Sequence, residues 1–245
     1  MLGLVDSTES KLAIVKAALN DISLLKTRIQ ESSLFEKLLR KIGAEVSQYL
    51  RFGGRNPRKL FGLFSEFRTT WELQTMYHYD TDGNAFVANL LDLLYTPSWR
   101  LASVLVHEAK HLLLLNDKGM LNAPERKQEE FARQFRRESE IKALKAELQF
   151  LHSIREHVLT EDRIFVTTKT YKIYKIDESM RHREDWIDRI SLSKDPQASE
   201  YYDEGKRRAE NEHRKIAKIL NIRLPEADAS GKYKTICIDS IRNRH

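Results

Sequence analysis

The sequence predicts a mostly helical α+β protein, and three observations support this fold class. Apolar residues recur at helical spacing in several segments that are separated by capping residues and turns. The stretch 104–115, VLVHEAKHLLLL, would be apolar around its whole circumference as a helix, which indicates a buried central helix. The dipeptide Asp82-Gly83 separates two β-prone runs within residues 75–89 and predicts a hairpin just before that helix.

Composition limits the classes of protein that fit. The chain has 245 residues, of which 41% are hydrophobic and 32% charged, enough for one sizeable core, or for one core with an attached helical subdomain. Its net charge is +6, but lysines and arginines are mostly interleaved with acidic residues, which favours solvated faces over a nucleic-acid surface. The single cysteine, Cys237, excludes a disulfide framework and a cysteine-based zinc site. With no signal peptide or membrane span indicated, we expect a cytoplasmic protein, and export without a conventional signal stays an alternative.

Two helices and a linker are predicted before the hairpin. Apolar residues from Leu12 to Ile29 recur at helical spacing, and Ser33-Leu34-Phe35-Glu36 is a capping box that opens a second helix. The pair predicts a helical hairpin, with dimerisation through these helices as the less favoured alternative. In residues 51–68, Gly53-Gly54 and Pro57 predict a linker whose arginines and phenylalanines could contact nucleic acid. The helical spacing of those phenylalanines favours a core face instead.

Helices also dominate the chain after the hairpin. Thr96-Pro97 predicts the start of the central helix, with Thr96 as cap and Pro97 at the first helical position. Asn122 and Pro124 open a long helix that we expect to run to about His157. Further segments are predicted as strand or irregular lid (163–176), a solvated outer helix (200–220) and one additional strand (231–239).

The central helix carries a metal-site motif, His107-Glu108-Ala109-Lys110-His111. Two imidazoles four residues apart lie on one helical face, so both can reach one ion. Glu108 beside that face can take a proton from an activated water and pass it to a leaving group. A pair of core histidines bonded to backbone carbonyls is the structural alternative.

The third metal ligand is expected in the segment ESEIKALKAELQFL, where Glu138 and Glu140 follow His111. On a helical wheel Glu140 lies in line with Leu144, Leu148 and Leu151, the stripe that faces the core. Glu138 instead precedes Lys142 by four residues, a spacing typical of exposed helix pairs. We therefore predict that Glu140 is the third ligand, with Glu138 as the alternative.

These residues resemble a known group of enzymes. The HEAKH motif followed by a glutamate helix resembles the zincin metallopeptidases of the Glu-ligand type, or gluzincins. The segment ESEIKALKAEL is similar to the Glu-Ala-Asn-x-Phe-Ala helix of the ImmA-type peptidases that cut phage repressors. The resemblance covers about residues 75–151. It implies a zincin-like core with a small sheet, whose edge strand aligns the substrate over the motif helix. It also implies that His107, His111 and one of the two glutamates bind zinc, and that Glu108 is the catalytic base.

The sequence thus leads to the hypothesis of a zinc-dependent endopeptidase that acts on a protein or peptide, with no membrane role. Three regions are expected: a helical hairpin and linker (1–68), a zincin-like core (69–160) and a C-terminal helical extension of unknown role (161–245). The alternatives are a zincin-fold protein without peptidase activity that binds a protein or nucleic-acid partner, and a helical scaffold with an accidental motif. Zincins often use a side chain from outside the motif to stabilise the oxyanion. The candidates here are Tyr171, Tyr174, His182, Tyr201 and Tyr202.

Overall fold

The computed structural model describes residues 33–64, 66–70, 77–80, 85–120, 123–165, 171–195, 198–220 and 236–237. The first predicted helix and the Asp82-Gly83 turn lie outside these residues. Within the described part, helices predominate and two small sheets are present, so the predicted mostly helical α+β class is confirmed. Eight α-helices are described: α1 (Ser33–Phe52), α2 (Pro57–Phe61), α3 (Leu90–Tyr95), α4 (Ser98–Asp117), α5 (Glu125–Gln134), α6 (Arg136–Ile154), α7 (Ile176–Leu192) and α8 (Ser199–Leu220).

The larger sheet has four described strands in the order β2-β3-β1-β6. Strand β3 (Ala85–Asn89) is buried along its whole length and pairs in parallel with β1 (Glu66–Thr70). It pairs on its other side, antiparallel, with β2 (Tyr77–Asp80), as the hairpin prediction requires. Strand β6 (Ile236–Cys237) adds to β1, and it lies in the segment predicted to supply one strand. Strand β2 is therefore at one edge of the described sheet.

A second, two-stranded sheet joins β4 (Asp162–Phe165) antiparallel to β5 (Tyr171–Tyr174). This resolves the choice between strand and irregular lid in favour of strands. The Tyr174 hydroxyl donates a 3.0 Å hydrogen bond to the carbonyl of Tyr95, which ties β5 to the end of α3.

Helix α4 lies at the centre of the core, as its apolar sequence predicts. It packs against α6, α1 and β2. Trp99 near its start is 1% exposed, and its neighbours in the core come from α1, β3, α6, α7 and α8. Phe61 and Phe64, from the predicted linker, are also buried, so these two belong to a core face as predicted. The helical spacing on which that prediction rested is wrong, because α2 ends at Phe61 and Phe67 lies in the strand Glu66–Thr70. The rings of Phe64 and Phe86 meet edge to face, 5.5 Å apart.

The two glycines after α1 permit both a tight turn and close packing against α6. Gly54 has a positive φ of 68°, a conformation that glycine adopts without steric cost. A Cβ on Gly53 would lie 2.3 Å from the ring of Phe150, so the chain approaches α6 too closely for any larger residue. The predicted breakers thus end α1 and let it pack against α6.

Three details of the helices differ from the predictions. Pro97 is the N-cap of α4 and not its first helical residue. The predicted long helix is interrupted at Phe135, which separates α5 from α6. Helix α8 is not a fully solvated outer helix, because Ala209, His213 and Ile216 are buried in it. His213 Nε2 lies 2.8 Å from Asp92 Oδ2, so α8 is anchored to α3 by a buried polar pair.

None of the helices in the described part of the chain combines the length and apolar character needed to span a bilayer.

Candidate metal centre

The two motif histidines and Glu140 converge between α4 and α6. One turn of helix separates His107 from His111, and their rings lie 5.0 Å apart. Glu140 projects from the facing helix α6 and is buried. One ligand atom from each of the three residues lies within 4.8 Å of the others, so the group could hold a metal ion.

Each imidazole nitrogen faces one oxygen of the Glu140 carboxylate. The two Nε2 atoms lie 3.2 Å apart. Glu140 Oε2 is 3.4 Å from His107 Nε2, and Glu140 Oε1 is 3.4 Å from His111 Nε2. Donor atoms on a tetrahedral zinc ion, with bonds of about 2.0–2.1 Å, are themselves about 3.3–3.4 Å apart. The residues present therefore fit such an ion, and the histidines do not show the arrangement expected of core residues bonded only to backbone carbonyls.

Glu138, the alternative ligand, lies on the outer face of α6. Its side chain is 59% exposed and pairs with Lys142 one turn later. The hydrogen bond and the charge of Lys142 lower the pKa of Glu138. The structure therefore places Glu140, and not Glu138, beside the imidazoles.

Each imidazole is also contacted at its second nitrogen. Ser139 Oγ lies 2.6 Å from His111 Nδ1, and Glu147 Oε2 lies 3.3 Å from His107 Nδ1. The Glu147 contact is close but not a well-aligned hydrogen bond, because the buried Nδ1 finds no partner of good geometry. Groups that hold Nδ1 orient Nε2 toward an ion, as in many metal sites.

The electrostatics of the cluster favour positive charge between the helices. Burial alone would lower the pKa of His107, but the close contacts with the carboxylates of Glu140 and Glu147 and the charges of Glu140 and Glu108 raise it well above its usual range. Burial would likewise raise the pKa of Glu140, yet the two imidazoles hold it well below its usual range. The carboxylates beside the imidazoles thus call for positive charge at the cluster, which either a proton or a metal cation can supply.

Glu108 is buried on α4 next to His107. Its charge contributes to the raised pKa of His107 and to that of Tyr201.

Among the five candidates for an oxyanion-stabilising residue, the structure brings Tyr202 to the cluster. Its hydroxyl donates a short hydrogen bond to Glu140 Oε1. Burial and the negative charge of Glu140 raise its pKa well above the usual value, so the hydroxyl keeps its proton. Its ring lies under the guanidinium of Arg136 and beside the ring of Tyr201.

The other candidates with described side chains make different contacts. Burial and the charges of Glu140 and Glu147 raise the pKa of Tyr201 well above its usual value. Tyr201 packs edge to face on Trp186, with the ring centres 4.2 Å apart. His182 also lies against Trp186, in a surface cavity of about 400 Å³ between α7 and α8. Tyr174 bonds to Tyr95, and the side chain of Tyr171 lies outside the described set.

Sequence reasoning missed Glu147 and Ser139. Glu147 follows Glu140 by seven residues, so both point to the same face of α6. This spacing could have indicated that Glu147 lies near the metal site. Ser139 carried no such signal, because a serine beside two glutamates is common on exposed helices.

No protein family model, no curated protein and no solved structure matches this chain.

Proposed function

We propose that this protein is a zinc-dependent endopeptidase whose metal is held by His107, His111 and Glu140. The observation that supports the proposal is the convergence of the three residues on two packed helices. The two Nε2 atoms are 3.2 Å apart, each lies 3.4 Å from one of the two Glu140 oxygens, and one ligand atom from each residue lies within 4.8 Å of the others. Zinc in such a site would supply a Lewis acid for the scissile carbonyl and would lower the pKa of a bound water.

Glu108 is the general base in this proposal. It accepts a proton from the attacking water and returns it to the departing amine, so a single carboxylate serves both halves of the reaction. Its burial at 7% exposure supports this role, because a carboxylate shielded from bulk solvent is a stronger base than an exposed one.

Tyr202 is the residue that we assign to stabilise the oxyanion. Its protonated hydroxyl already points at a ligand oxygen, so a small displacement would let it donate to a substrate oxygen beside the metal. The equivalent role for His182 is not supported by its place in the cavity between α7 and α8.

The substrate that fits this site is an extended peptide. Strand β2 contacts the motif helix, and β3 is its only partner among the described strands. An extended chain could pair with the outer side of β2 and pass the metal position, the usual geometry of strand addition. This supports a peptide substrate over a small molecule.

The test is cleavage of a peptide library, read by mass spectrometry, with zinc-loaded protein and with Glu108→Gln. The substitution keeps the shape and removes the proton acceptor, so we expect zinc to stay bound while cleavage falls about 100-fold or more. Glu138→Gln is the matched control, because it makes the same change on the exposed face of the neighbouring helix. Equal products from the parent and Glu108→Gln would contradict the mechanism.

A further inference from the structure

The contacts of Glu147 link the metal cluster to the C-terminal part of the chain. Glu147 is 2% exposed and lies on α6, two turns after Glu140. Its Oε2 faces His107 Nδ1 at 3.3 Å. Its Oε1 accepts hydrogen bonds from Ser103 at 3.0 Å, from Arg183 at 2.9 Å and from Arg100. A single buried carboxylate thus joins a metal ligand to two arginines.

Arg183 belongs to a different helix from the other two donors to Glu147. Arg100 and Ser103 belong to α4, the helix that also carries His107, whereas Arg183 comes from α7. Its side chain is only 11% exposed, and Nη1 also donates a 3.3 Å bond to the carbonyl of Ser179. A buried guanidinium loses its hydration and is unfavourable unless it is paired, and Glu147 provides that pairing.

We infer that Arg183 is a positioning residue for the metal site, acting through Glu147 on His107. The inference rests on the proposed metal site and gives helix α7 a role in it. With Oε1 held by Arg183, Arg100 and Ser103, the carboxylate keeps Oε2 turned toward Nδ1, and the imidazole keeps Nε2 turned toward the ion position. The metal site is therefore built from α4, α6 and α7.

Removing the Arg183 side chain should change the orientation of the Glu147 carboxylate and, through it, that of the His107 imidazole. Glu147 would remain buried with one donor fewer on Oε1, so its carboxylate could rotate toward Arg100. Such a rotation moves Oε2 away from His107 Nδ1. Disturbing such outer contacts of a metal ligand typically lowers metal affinity by about 10-fold to 100-fold.

The experiment measures zinc affinity by chelator competition for the full chain, for Arg183→Met and for Arg183→Lys. We expect Arg183→Met to bind zinc about tenfold more weakly, and Arg183→Lys to lie between it and the parent, because lysine keeps the charge but not the two-pronged geometry. Arg181→Met is the matched control, since Arg181 lies on the exposed face of the same helix. It should leave affinity unchanged.

A double-mutant cycle separates positioning from a purely structural role. If Arg183 acts through Glu147, then Glu147→Gln and the Glu147→Gln/Arg183→Met double variant should bind zinc equally well. Additive losses of affinity would overturn the inference, as would an Arg183→Met variant that melts earlier yet binds zinc like the parent. Failure of the parent to bind zinc would instead overturn the proposed metal site, so the two failures are distinguishable.

Discussion

Replacing Glu140 by glutamine should remove a metal ligand with little change in shape. The carboxylate oxygens lie 3.4 Å from the two Nε2 atoms, and the residue is 8% exposed, so solvent screens its charge poorly. Glutamine keeps one oxygen donor but loses the negative charge that opposes the ion. We expect zinc affinity to fall at least about 100-fold, or ~2.7 kcal/mol.

Glu138→Gln is the control for this prediction. The two glutamates are two residues apart on α6, but Glu138 is 59% exposed and pairs only with Lys142 among its described ion pairs. Its loss should change zinc affinity by less than about twofold, because exposed ion pairs contribute little. Competition with a chelator at fixed pH measures both variants. Equal losses, or a larger loss for Glu138→Gln, would refute the assignment of Glu140 and of the inward face of α6.

Other perturbations test the metal, the core and the pH response. Saturating zinc should raise the melting temperature, with a stabilisation of about 4 kcal/mol at 1,000 times the dissociation constant, and a chelator should reverse it. Trp99→Ala should cost about 3–5 kcal/mol in urea denaturation, because the side chain is almost fully buried. His213→Ala should cost roughly 3 kcal/mol in the same assay, since it leaves the buried Asp92 without its imidazole partner. Burial and the charges of Arg208 and Arg100 lower the pKa of His182, so its protonation favours the unfolded chain. The contribution of His182 to stability should therefore fall as pH drops below about 6.5, so relative to the parent His182→Gln should lose less stability between pH 7.5 and 5.5 in urea titrations.

The local features of the fold could be predicted from the sequence. The apolar circumference of residues 104–115 predicted that α4 would be central, and the β-prone runs on either side of Asp82-Gly83 predicted the pairing of β2 with β3. The inward orientation of Glu140 also followed from its position in the stripe of buried leucines on α6. Each of these depends on residues within a few turns of one another.

Features that depend on distant segments could not be predicted. Tyr202 reaches Glu140 across 62 residues of sequence, and Arg183 reaches Glu147 across 36. Nothing in the local sequence pattern distinguishes Tyr202 from its neighbour Tyr201. Which of the two hydroxyls contacts Glu140 depends on how α8 is oriented against α6. The interruption at Phe135 was missed for another reason: the segment contains no glycine or proline to mark it.

The central claim is that His107, His111 and Glu140 bind one zinc ion. The most direct test is elemental analysis of the full chain purified without added metal, alongside a His111→Ala variant. We predict about one zinc per chain in the parent, since three protein ligands form a tight tetrahedral site, and clearly less in the variant. A parent protein without zinc, whose melting temperature does not change when zinc is added, would contradict the account.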